Sequence, residues 1–438
     1  SGNSAWNFTT ADITPPTVVL STTTGSPTNM PFTVRIVFSE PVSGFDLTDI
    51  TISNGTASTF NLVNPLTYTV LITPTTDGEV TVNIAAGTLQ DASNSANNNL
   101  ASNTLTLTND VTKPTVVITT NATDPTNLAS FTATFTFSED LADFEGSDVT
   151  LSNAVISDFT LITDALYTAT VTPVTDGSVK IDLFADAVED NANNGNVAAT
   201  QYVITYDGTN PTVAITSSAA DPINGSFTTT YTFSEDVTGF EVGDITVGNG
   251  TASDFASTSA TVYTALITPV ADGDVTIDLE SGVAQDAATN GNDAATQFTI
   301  AYDGTNPTIV ITTNAADPTN TSFTATFTFD ESVTGFDMSD ITVGNGTASA
   351  FVATNARVYT ATITPTTDGD VTLDVAADVS QDSATNGNDA ATQYSVLYDS
   401  ISPTVVISTS AADPINGSFT TTYTFSEDVT GFEVGDIT

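Results

Sequence analysis

The side chains in this sequence that could do chemistry are almost all carboxylates. Against 52 Asp and Glu stand four Lys and Arg, with no His and no Cys, for a formal charge of −48. Without imidazole or thiol, the common catalytic triads and thiol nucleophiles are absent. A donor set made only of hard oxygens suits Ca²⁺ before zinc or copper. Paired carboxylates also serve glycosidases, but the same acids stand in every copy of the repeat described below, which would put one active site in each module. Such one-signed charge weighs against nucleic acid or an anionic membrane as partner, since both need cationic contacts. It favours solubility and the attraction of cations. There is no run of eighteen apolar residues, and Ser1–Asn7 lacks the form of a signal peptide, so an export signal or anchor is expected outside these residues.

The carboxylates are positioned by a tandem array. Asp stands four residues before proline at Asp12/Pro16, Asp110/Pro114, Asp207/Pro211, Asp303/Pro307 and Asp399/Pro403, and these prolines recur every 96–98 residues. That period suits a small all-β domain, and a φ-locked proline after an acidic residue reads as a joint of limited swing. The expected organisation is a last strand of a preceding repeat, or an N-terminal arm, at 1–13. Repeats follow at 14–111, 112–208, 209–304 and 305–400, with a truncated fifth at 401–438. The segment Ser410–Thr438 copies Ser218–Thr246 residue for residue, so the fifth repeat reads as cut in mid-domain. Phe8-Thr9-Thr10-Ala11-Asp12 reads as a strand whose domain precedes it.

Within each unit apolar residues alternate at period two, the mark of half-buried strands. In the fourth copy Phe323, Ala325, Phe327 and Phe329 share one face of strand two, with Thr324, Thr326 and Thr328 on the other. Phe32, Val34, Ile36 and Phe38 repeat this in the first copy, as do Phe131, Ala133, Phe135 and Phe137 in the second. Strands three and four are joined through Asn345-Gly346, and strands five and six through Asp368-Gly369, both hairpin-type dipeptides. Tyr359, Ala361 and Ile363 face inward on strand five, Val371, Leu373 and Val375 on strand six, and strand seven carries Tyr394, Val396 and Tyr398. Seven short strands in about a hundred residues predict a linear array of all-β, immunoglobulin-like seven-stranded sandwiches.

Phe233-Ser234-Glu235-Asp236-Val237-Thr238-Gly239-Phe240, Gly243-Asp244-Ile245-Thr246-Val247, Asn249-Gly250-Thr251, Tyr263-Thr264-Ala265-Leu266-Ile267-Thr268-Pro269, Asp272-Gly273 and Asp286-Ala287-Ala288 carry a resemblance. Together they resemble the bacterial Ig-like repeats of large surface adhesins. The resemblance implies a secreted, multi-repeat cell-surface protein, in a class where calcium commonly rigidifies the joints. Its target, a host, cell-surface or matrix glycan or protein, would be bound through regions outside this sequence. The alternative is a fibre subunit that self-associates, by donating Phe8–Asp12 to an incomplete neighbour. The first copy departs most, with Ser26-Pro27 for Asp221-Pro222 and no Asn-Gly-Asn in the loop after Asp91.

Alternating strand direction places the acids. Loops after strands two and six reach the pole where the chain enters a repeat, and the loop after strand five reaches the pole where it leaves. Each joint is therefore expected to gather acids from two repeats: Asp77, Asp110, Glu139 and Asp190 at the first; Asp176, Asp207, Glu235 and Asp286 at the second. The third gathers Asp272, Asp274, Asp303, Glu331, Asp382 and Asn388, and the fourth Asp368, Asp370, Asp399 and Glu427. Like charges so crowded repel unless a cation neutralises them, and Ca²⁺ is the expected ion. The plainer reading is that each Asp caps a turn through local backbone bonds.

Four other features read as structural. Asp286–Asn292 superficially matches a Ca²⁺-binding helix–loop–helix loop, but Ala288 stands at its third position and strands flank it. Asp49, Asp148, Asp244, Asp340 and Asp436 are expected to make a local turn bond before strand three. Asn-Gly-Thr at Asn54, Asn249 and Asn345 matches a glycosylation sequon and reads better as a turn. Ordinary β propensity accounts for the outward threonines better than a sugar- or ice-binding face. With Lys113 and Lys180 as its lysines, the chain cannot carry a Lys–Asn isopeptide staple in every repeat.

Overall fold

Strand two of the fourth repeat shows how the pattern folds. In Phe323–Phe329, Phe323, Ala325, Phe327 and Phe329 are buried while the intervening threonines lie toward solvent. Each large side chain so buried contributes about 1.5–3 kcal/mol, so a one-residue slip that turned this face outward is strongly disfavoured. The computed structural model describes residues 12–93 and 97–438. They divide into two compact units, one of Ser1–Asn210 with Gln285–Asn290 and the other of Pro211–Ala284 with Gly291–Thr438. The strand expected at Phe8–Asp12 lies, but for Asp12, outside the described residues.

In the fourth repeat the strands run Ile309–Thr313, Phe323–Phe329, Ile341–Gly344, Gly346–Ala353, Val358–Pro365, Gly369–Val375 and Tyr394–Tyr398. Strands one, two, five and four form one antiparallel sheet in that order, and three, six and seven form the other. This is the sheet division of a constant-type immunoglobulin sandwich. Repeats one, two and three divide their strands in the same way, and the first adds a short pair, Val42–Ser43 with Gln90–Asp91. In the fifth, Val405–Thr409 pairs with Thr421–Phe425.

The two turn dipeptides do something other than expected. Strands three and four lie in different sheets, as do five and six. Asn345-Gly346 and Asp368-Gly369 are therefore crossings between sheets, not hairpins. Asn345 takes a left-handed backbone, φ 57°, and Gly369 φ 127°, conformations that Asn tolerates and Gly adopts freely. The Asn345 amide ties the crossings together, donating to Thr367 O at 2.7 Å and accepting from Thr367 Oγ1 at 2.7 Å. Asn54, Asn153 and Asn249 donate equivalently, to Thr76 O, Thr175 O and Ala271 O, which gives the sequon asparagines Asn54, Asn249 and Asn345 a structural task.

A ring cluster fixes the loop that leaves strand two. Phe336 packs edge-on against Phe329 at 5.2 Å and Tyr359 at 5.0 Å, each such pair adding about 0.5–1.5 kcal/mol beyond area burial. Tyr359 Oη donates to Val333 O at 3.2 Å, holding the segment just after Glu331. The turn before strand three forms as expected, with Asp340 accepting from Asp337 N at 2.7 Å.

Candidate metal centre

Three carboxylates meet where the chain enters the fourth repeat. Asp303 comes from the linker, Glu331 from the end of strand two and Asp382 from the loop after strand six, and each offers an oxygen within 4.8 Å of the others'. Loop pairing brings the last two together: Thr334 N donates to Gln381 O at 2.7 Å and Gln381 N to Thr334 O at 2.9 Å. Asp382 is 5% exposed. It accepts from Asn386 N at 2.9 Å and Asn386 Nδ2 at 2.8 Å, and the same Nδ2 donates to Asp303 O at 2.8 Å. Asn386 thus fastens the linker to the loop. Desolvation, then the charges of Asp303, Asp382 and Asp330, holds Glu331 above the usual carboxylate range, partly offset by Arg357.

The same construction recurs. Asp110, Glu139 and Asp190 form the trio of the second repeat, where Asn194 Nδ2 bridges Asp110 O and Asp190 Oδ2, both at 2.9 Å. Burial, followed by Asp110, Asp190 and Asp77, pushes the Glu139 carboxyl up. Its Oε1 is shut off from solvent without a hydrogen-bond partner. In the third repeat Asp286 holds Asn290 through bonds of 2.9 and 2.8 Å, and Asn290 donates to Asp207 O at 2.8 Å. Glu235 follows strand two there, in the sequence position of Glu139 and Glu331. In the fifth repeat Asp399 and Glu427 hold the corresponding positions, and Glu427 Oε1 is likewise buried without a partner.

Asp12, Glu40 and Asp91 make a further trio in the first repeat, which the sequence analysis set apart for want of Asn-Gly-Asn. Asn97 there donates to Asp12 O at 2.9 Å, in the manner of Asn194 and Asn386. The signal was present with a longer spacing, Asp91 to Asn97 in place of Asp190 to Asn194.

Other acids expected at the joints stand apart from the trios. Asp272 accepts from Gly304 N at 2.7 Å and Thr305 Oγ1 at 2.5 Å. Asp77 does the same with Val111 N and Thr112 Oγ1, at 2.7 and 2.5 Å. Asp176 binds Gly208 N and Thr209 Oγ1, and Asp368 binds Ser400 N and Oγ at 2.8 and 2.7 Å. These bonds hold all four below the usual carboxylate range, the side-chain hydroxyl contributing most at Asp77, Asp176 and Asp272 and the backbone N–H at Asp368. They are linker caps. Asp274 and Asp370 sit in strand six opposite Ala301 and Leu397, also outside the trios. Asn388 has no capacity left for an ion: its Oδ1 accepts from Val379 N and Ser380 N at 3.0 and 2.8 Å, and its Nδ2 donates to Ala376 O and Asp389 O at 2.9 and 2.8 Å. Asn386, two residues earlier, is the amide that reaches the trio, and sequence reasoning passed over it.

Each trio fits a hard cation. Oxygens sharing one Ca²⁺ lie at most about 5 Å apart, twice the metal–oxygen distance, and a desolvated carboxylate oxygen without a proton donor lacks the partner that burial normally demands.

Four consecutive stretches, residues 12–108, 110–206, 207–302 and 303–398, match the family described as bacterial Ig-like domain. The chain belongs to the bacterial Ig-like domain family. Among solved structures it is similar to invasin, a bacterial integrin-binding protein, at 15% identity over 91% of this chain and 81% of that one, with a TM-score of 0.35. It is similar to a tetra-tandem repeat in the extending region of a large adhesion protein, at 17% identity over 88% and 100% of the two chains, with a TM-score of 0.35. InvD of Yersinia pseudotuberculosis is similar at 14% identity over 66% and 99%, with a TM-score of 0.29. No curated protein matches the sequence. The first, second and fourth of these bacterial Ig-like repeats thus each have a carboxylate trio where the chain enters and a capped aspartate where it leaves.

Proposed function

We propose that this chain is the extended stalk of a secreted bacterial surface adhesin, non-catalytic, and stiffened by Ca²⁺ at the joints between its repeats. The observation that carries the reading is the trio itself. A linker carboxylate meets two carboxylates of the repeat it leads into, with a Glu139 oxygen desolvated and unpartnered. An ion bound there ties linker to repeat and cancels a repulsion that otherwise pushes them apart. Folded repeats set the length and filled joints resist bending. An affinity of about 10⁻⁴–10⁻³ M, that of extracellular modules, suits a surface protein. The adhesive target, a glycan or protein of a host, cell surface or matrix, is bound by other regions of the parent protein. The test is a calcium titration of the full chain with an EGTA control, read by melting temperature and by maximum dimension in small-angle scattering. Both rise with calcium on this reading; if neither moves, calcium is not part of the mechanism.

A further inference from the structure

The loop between strands one and two of the first repeat reaches the second repeat through one side chain. Asn29 Nδ2 donates to Asn193 O at 2.9 Å and to Asn194 Oδ1 at 3.1 Å. Asn194 is the amide whose own Nδ2 holds Asp190 and the linker oxygen of Asp110. The third and fourth repeats, in the other unit, show the same device: Asn224 Nδ2 lies 3.3 Å from Thr385 Oγ1, next to Asn386, which holds Asp382 and Asp303 O. Two joints with different residues at the receiving position thus make one connection. Its chemistry suits so acidic a chain. Carboxylates only accept, and with four Lys and Arg in 438 residues a neutral amide is the donor that can approach an acidic face without adding charge.

We propose that Asn29 and Asn224 are latches that dock one repeat on the next beside the covalent linker, where Asp110 N donates to Thr28 O at 3.0 Å and Asp303 N to Ile223 O at 2.9 Å, and that latch and cation site strengthen each other. The second half rests on the calcium reading and the first does not. Docking of Asn29 restrains the Asn193–Asn194 turn and so fixes where Asp190 stands; an ion on Asp190 restrains the same turn for Asn29. Such coupling is reciprocal.

The chain has no cysteine, so spin labels can be placed at will on exposed strand-three positions of the full chain. Thr51→Cys with Thr150→Cys spans repeats one and two, and Thr246→Cys with Thr342→Cys spans repeats three and four. In EGTA, Asn29→Ala should broaden the first distance distribution and leave the second unchanged, and Asn224→Ala should do the reverse. On adding calcium, Asn29→Ala should need about fivefold more ion to narrow the first distribution, the lower end of ordinary coupling. Unchanged widths in EGTA would overturn the latch, and an unchanged calcium midpoint would overturn the coupling. If calcium alters nothing in the parent chain while Asn29→Ala still broadens the first distance, the latch stands and the calcium reading falls.

Discussion

Glu331 and Asp272 are both acids at a joint, yet their surroundings drive them in opposite directions. Glu331 is desolvated among Asp303, Asp382 and Asp330 and its carboxyl is pushed up. Asp272 receives a hydroxyl and a backbone N–H from Thr305 and Gly304 and is held down. The difference teaches that an acid's task here is set by whether the linker offers it donors. Where donors reach, the carboxylate is a cap that holds the linker by itself. Where none reaches, as at the Glu139 oxygen, the carboxylate stays desolvated beside other acids.

The sharpest test of this contrast is the ion. With calcium at about a hundredfold over its dissociation constant, each occupied site adds about 2.7 kcal/mol of stability. Calorimetry should show the melting temperature rise accordingly and EGTA reverse it. Next in size is Asn388→Ala, which strips one buried and one half-buried backbone N–H group and two carbonyls of their partners. It should cost about 1–3 kcal/mol in chelator and calcium alike, as expected of a loop brace; a loss confined to calcium would make Asn388 a ligand after all.

Glu331→Gln separates the two groups of acids further. It removes a charge from a crowded site, so it should raise the melting temperature in EGTA and abolish the calcium increment of the fourth repeat. Asp272→Asn should do neither; it should lower the melting temperature slightly and leave the calcium midpoint where it was. A calcium midpoint that shifted on Asp272→Asn would erase the distinction.

The smallest effect, and the one that tests sign, is pH in chelator. Glu139 and Glu331 titrate above 4.5 when folded, so the folded state takes up their protons first and stability rises as pH falls through that raised range toward 4.5. Asp77, Asp176, Asp272 and Asp368 titrate below 3.8 when folded, so their contribution is present above 3.8 and is lost as pH falls below it. Melting temperature should therefore pass through a maximum between these ranges. A monotonic fall on acidification from neutral pH would show that the trios carry no repulsion.

Much of this architecture is local and could be read from the chain. The alternation in Phe323–Phe329 names its own buried face, because side chains in a strand point to opposite sides whatever the strand packs against. The linker prolines mark the repeat length, and the alternation of strand direction placed Asp303, Glu331 and Asp382 at one pole. The Asn345-Gly346 and Asp368-Gly369 dipeptides were legible as turns but not as crossings between sheets, since the same backbone bend serves both and only strand pairing decides. The sorting of acids was likewise out of reach. Asp272 and Glu331 differ by a hydroxyl and an N–H delivered from a linker some thirty residues along the chain from Asp272, and Asn386 differs from Asn388 by which carbonyls face it. Alternation and composition are properties of consecutive residues, so the sequence alone determined strands, cores and an excess of negative charge. Solvation and hydrogen bonding depend on atoms brought together from distant segments, and the tertiary structure alone decided which charges were capped by the linker and which were crowded together at its entry.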